Sequence, residues 1–130
     1  MIKIAKQIAI FLDNRPGTLA RLCQALSKAG VNILGLSILD AIDHAVVRLV
    51  VDKPEEAERV LTGLHAMSQS RDVVFMDVDN RVGEMARIAE KLAEAGINIE
   101  YAYCTASPSH SAGAIILRTT DLEATISALS

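Results

Sequence analysis

The chain has 130 residues, 51% of them hydrophobic, 22% charged and 3% aromatic, with a formal net charge of -3. A chain of this length buries roughly two thirds of the surface its unfolded form exposes, so it supports a core without staples, and disorder is excluded. No apolar run approaches the roughly 18 residues of a membrane span, and Met1 to Ala5 leads into no signal peptide, so a soluble, cytoplasmic protein without membrane contact is expected.

Ile8, Ile10 and Leu12 alternate with Ala9, Phe11 and Asp13, a period of two that predicts a strand with one buried face. Asn14, Arg15, Pro16 and Gly17 break it. From Thr18 the apolar positions Leu19, Leu22, Cys23, Leu26 and Ala29 follow helical spacing, with Pro16 placed at the first helical position and Gly30 as the stop. Val31 to Leu39 and His44 to Val51 read as strands joined by a hairpin turn at residues 40–43. Pro54, Glu55 and Glu56 open a second helix with Ala57, Val60, Leu61 and Leu64 on one face. The unit is β-α-β-β-α.

A shift of 66 residues lays residues 7–44 on residues 73–110. Identities include Asp13/Asp79, Asn14/Asn80, Arg15/Arg81, Gly17/Gly83, Gly30/Gly96, Asn32/Asn98, Ile33/Ile99 and His44/His110, so the chain is two copies of one unit. In the second copy Val74, Met76 and Val78 are the inward strand positions, and Met85, Ile88, Ala89, Leu92 and Ala95 the helical face. Ile97 to Cys104 and Ala114 to Arg118 supply two more strands. Thr120 and Glu123 fit a capping box for a last helix with Leu122, Ile126 and Leu129 inward. The expected domains are residues 1–70 and 71–130, the second lacking its terminal strand. Either one segment from about Met67 to Val78 serves both sheets or a partner chain completes them, and the hazard of open strand edges favours the partner, hence a homodimer. Leu34, Leu36 and Ile38 are expected to form an apolar face opposite the Val31 and Ile33 core.

Several chemistries find no support. Cys23 and Cys104 are far apart, and His44, His65 and His110 have no metal-ligand spacing, so neither metal nor cofactor is expected. No nucleophile elbow, phosphate loop or dinucleotide fingerprint is present, so no catalytic residue is assigned and the chain reads as no enzyme. Ser107, Ser109, His110 and Ser111 read as a hairpin loop. Tyr101 and Tyr103 would share a strand face as in an RNA-binding sheet, yet basic residues do not cluster near them, and no nucleic acid is expected.

Two β-α-β-β-α(-β) units imply an α+β, ferredoxin-like plait with antiparallel sheets and helices on one face of each, a fold that hosts many functions. The run D-N-R-P-G-T-L-A-R-L, followed after the helix by A-G-V-N-I, resembles the ACT domain, a regulatory module that binds amino acids, and the resemblance recurs across almost the whole chain. The second copy departs from it in carrying Val82 where the first has Pro16. A glycine permits close approach, a helix N-terminus offers N–H groups to a carboxylate, and an asparagine both donates and accepts, as an amino-acid head group requires. The resemblance implies that an L-amino acid binds between ACT units at Asn14, Arg15, Pro16, Gly17, Thr18, Leu19, Asn32 and Ile33. The matching positions of the second copy are Asn80, Arg81, Val82, Gly83, Glu84, Met85, Asn98 and Ile99. Gly35 and Ser37 against Tyr101 and Tyr103 suggest different ligand linings. The target would be a metabolic enzyme or regulator. The competing reading is a dimerisation module without a ligand, in which the asparagines only end strands and cap helices.

Overall fold

The computed structural model describes residues 1–40 and 44–130, so the turn expected around residues 41–43 lies outside the described residues. In chain order the elements are β1 (Ile2–Asp13), α1 (Thr18–Lys28), β2 (Ile33–Asp40), β3 (His44–Val51), α2 (Pro54–Gly63), β4 (Met67–Asp79), α3 (Glu84–Glu94), β5 (Ile99–Thr105), β6 (Ala112–Thr119) and α4 (Leu122–Leu129). They form two compact units, Lys6–Arg71 and Met1–Ala5 with Asp72–Ser130. The class is α+β with antiparallel strand pairs, as the repeat pattern implies.

In the Lys6–Arg71 unit the antiparallel register sets Ile8 opposite Leu49 and Ile10 opposite Val47. Directly opposed residues share a sheet face, so these four form one apolar surface. Leu22 and Leu26 of α1 and Ala57 and Leu61 of α2 cover it. Each fully buried Leu or Ile contributes roughly 1.5–3 kcal/mol, against about 0–1 kcal/mol for an exposed ion pair, so the core and not the surface charge holds the unit together. The second unit repeats this with Val74, Met76, Ile115 and Leu117 on the sheet and Ile88, Leu92 and Leu129 on α3 and α4.

The helix stops follow the sequence closely. Gly30 (φ 73°) and Gly96 (φ 70°) adopt the left-handed conformation that glycine tolerates. Val31 N–H donates to Leu26 O and Gly30 N–H to Ser27 O, each at 3.0 Å, the paired bonds of a Schellman stop. Ile97 and Gly96 repeat them on Leu92 and Ala93.

The helix starts differ from expectation. Pro16 is not the first helical residue, because Gly17 adopts φ 91° and cannot lie within a helix; α1 begins at Thr18 with Gly17 as its cap. The last helix is capped by Asp121, whose carboxylate accepts from Ala124 N–H at 3.0 Å. Thr120 instead accepts a bond from Asn98 N–H at 3.3 Å, so the Thr120–Glu123 capping box does not form. Met85 is 41% exposed rather than inward.

The face expected for Leu34, Leu36 and Ile38 is also corrected. A bulge between Ile33 and Gly35 shifts the register, so that Leu36 stands opposite Leu49 and Ile38 opposite Val47, on the side the helices cover. Both remain exposed because β2 is the outer strand of its unit.

The missing strand has a source within the chain. In the unit containing Asp72–Ser130, Met1 O accepts from Asp77 N–H at 2.9 Å and Ile2 packs on the core. The Lys3 ammonium lies 5.9 Å from the Phe75 ring centre. Met1–Ala5 thus supplies the strand that residues 71–130 lack, and it falls outside the contiguous division at residue 70. Met67–Arg71, the start of β4, lies in the other unit. Sheet completion therefore does not call for a partner chain. Among the described residues no helix is long and apolar enough to cross a membrane.

Candidate functional site

Each strand–helix turn opens onto a cleft within its own unit. In the Lys6–Arg71 unit a cleft of about 320 Å³ is lined by Asp13, Arg15, Thr18 and Arg21 on one side and Leu64, His65, Ala66 and Met67 on the other. In the other unit a cleft of about 340 Å³ is lined by Asp79, Asn80, Arg81, Gly83, Glu84 and Met85, closed by Cys104, Thr105, Ala106, Gly113 and Ile115.

The first turn is built by its own backbone. Thr18 Oγ1 donates toward the carbonyls of Asp13 (2.8 Å) and Arg15 (3.1 Å), which pins the loop where the strand leaves the sheet. Asn14, Arg15, Pro16 and Gly17 are exposed, and Leu19 packs at the margin of the core. Arg15 meets Asp13 at 3.5 Å with the two side chains 63% and 68% exposed, a contact too solvated to hold the guanidinium.

The second turn is tied more tightly. The Asn80 side-chain amide donates to Ser107 O (2.8 Å) and His110 O (2.9 Å), and its backbone N–H donates to Ser111 O (2.9 Å). The β5–β6 loop is thereby clamped to the turn. Glu84, only 7% exposed, accepts from Arg81 Nε at 2.9 Å and from Arg87 Nε at 2.8 Å. The hydrogen bond from Arg87, then that from Arg81, holds its carboxyl below the usual carboxylate range, against the opposing effect of desolvation. Val82 stands in full solvent.

The post-helix asparagines do not join these clefts. Asn32 precedes β2 at the far end of α1, an 11-residue helix of about 16 Å. Its backbone N–H donates to Asp52 Oδ1 at 2.8 Å and its carbonyl accepts from Asp52 N–H at 3.1 Å. Asn98 is held in the same way by Thr120. Ile33 and Ile99 pack on the two cores beside them. Gly35, Ser37, Tyr101 and Tyr103 line neither cleft. Arg21 and Arg87 are not among the site residues expected from the sequence, although they too are identical under the 66-residue shift, the signal that points to them.

A family model described as ACT domain pair matches residues 3–128. Among solved structures, protein BT0572 from Bacteroides thetaiotaomicron has a TM-score of 0.90 at 29% identity, over 98% of this chain and 88% of its own. The ligand-free regulatory subunit of aspartate kinase from Thermus thermophilus has a TM-score of 0.73 at 19% identity, over 98% of this chain and 93% of its own. The corresponding subunit from Thermus flavus has a TM-score of 0.67 at 20% identity, over 99% and 93%. A search of the curated proteins finds no match. At these identities the two kinase subunits share the fold.

Proposed function

The chain belongs to the ACT domain pair family, and from that premise we propose that it is a regulatory protein that binds an L-amino acid and catalyses no reaction of its own. The observation that carries this reading is the Asn-Arg-x-Gly turn, kept in both copies, which contributes Arg15 to one cleft and Asn80, Arg81 and Gly83 to the other. Each cleft combines the N-terminus of a helix, a guanidinium and a carboxylate, the groups that complement a zwitterion. Asn32 and Asn98 stand too far from the turn of their own unit to reach the same ligand. A second copy of the chain would bring such an asparagine to the turn, which makes the homodimer part of the proposal. The regulatory subunits of aspartate kinase that share the fold support a separate metabolic enzyme or regulator as the target.

A thermal-shift screen against the twenty L-amino acids tests this reading. A ligand at 100 times its dissociation constant stabilises the fold by about 2.7 kcal/mol, which for a chain of this size raises the melting temperature by several degrees. Asn14→Ala should abolish the shift while the unliganded protein stays folded, and Asn32→Ala should weaken it. If no amino acid at millimolar concentration moves the transition, the amino-acid reading fails.

A further inference from the structure

We propose that the two clefts are functionally unequal: the cleft of the Lys6–Arg71 unit takes a carboxylate of its ligand between Arg15 and Arg21, whereas in the sister unit Glu84 occupies that role from within. The proposal rests on reading the clefts as ligand sites and goes further in assigning which of them accepts an acid.

The repeat shift pairs Arg15 with Arg81, Arg21 with Arg87 and Thr18 with Glu84. In the sister unit the two arginines converge on one carboxylate, Arg81 on Oε2 and Arg87 on Oε1 of Glu84. The molecule thus shows what this arginine pair binds when an anion stands between its members. In the first unit the intervening residue is Thr18, whose hydroxyl turns to backbone carbonyls and brings no charge. Among the described residues Arg21 has no ion-pair partner, and Arg15 has only the solvated contact with Asp13. The first cleft therefore sets Arg15 and Arg21 against Asp13 alone, while its counterpart under the repeat shift, lined by Asp77, Asp79, Arg81, Glu84 and Arg87, sets the two arginines against three carboxylates. Guanidinium pairs bind carboxylates through charge-assisted bonds, and an added anion at that counterpart would meet Asp77, Asp79 and Glu84 instead.

The test follows the Nε–Hε resonances of Arg15, Arg21, Arg81 and Arg87 by nuclear magnetic resonance in the full chain during titration with sodium succinate, with sodium chloride at matched ionic strength as reference. Arg15 and Arg21 should shift saturably while Arg81 and Arg87 do not move. Thr18→Glu should fill the first cleft and remove the response, and Glu84→Thr, which copies the first repeat, should make Arg81 and Arg87 respond. Glu84→Gln gives the same readout with the side-chain volume kept. Unmoved Arg15 and Arg21, or wild-type Arg81 and Arg87 that respond equally, would overturn the proposal. Because succinate is not an amino acid, this outcome is separate from that of the amino-acid screen.

Discussion

At the scale of single residues, the same position of the repeat does two different jobs. Thr18 spends its hydroxyl on shaping a turn, and Glu84 spends its carboxylate on gathering two guanidinium groups. The second role makes stability depend on pH. A carboxyl whose folded pKa is depressed contributes stability that is present above its unfolded value, about 4.3, and is lost as the pH falls through the lowered folded value. We expect denaturant unfolding to show stability declining from about pH 5 toward pH 3, and Glu84→Gln to flatten that decline. An unchanged acid limb in the variant would show that the Arg81–Glu84–Arg87 cluster does not contribute. The turn glycines answer a different need: at φ 91° and 88°, Gly17 and Gly83 cap helices in a conformation that costs other residues about 1–2 kcal/mol.

At the scale of elements, β1 is longer than the repeat predicts. Its alternation over Ile8, Ile10 and Leu12 was legible, but residues 1–5 lie outside the 66-residue match and so carried no repeat signal. Ile2 nevertheless packs, partly buried, on the second core. Ile2→Asp should destabilise the unit containing Asp72–Ser130, by about 1–3 kcal/mol from lost burial alone. Amide hydrogen exchange should quicken at Phe75 to Asp77 and less at Leu49 or Val47. Equal acceleration in both units would contradict the assignment of Met1–Ala5 to the second. The bulge at residue 34 teaches the same lesson on β2, since one extra residue reverses the face of everything after it.

At the scale of the whole molecule, a homodimer is favoured on grounds other than sheet completion. The absent strand no longer supports it, because Met1–Ala5 fills that place. What remains is the outer strand β2, which exposes Leu36, Ile38 and Leu39 beside an unpaired edge, and the need to bring an asparagine of the Asn32 type to a turn it cannot reach in its own unit. Light scattering at micromolar concentration should give twice the 13.9 kDa mass of the chain, and Leu36→Asp with Ile38→Asp should halve it. A wild-type monomer would count against the pairing and favour a ligand held within one unit.

Elements whose signals are local were legible in the residues alone. Period-two and helical spacing named the cores from Ile8 to Leu117, the glycine stops at Gly30 and Gly96 named the helix ends, and self-similarity named the duplication. The turn residues were legible too, because Asn, Arg and Gly recur at one spacing. The three-dimensional arrangement was needed to reveal that residues 1–5 complete the second unit, that Leu36 and Ile38 face the helix side, and that Glu84 neutralises the arginines beside it. The reason is physical: strand partnership, register and ion pairing join residues distant in sequence or differing by one bulged residue, and composition and period are blind to both.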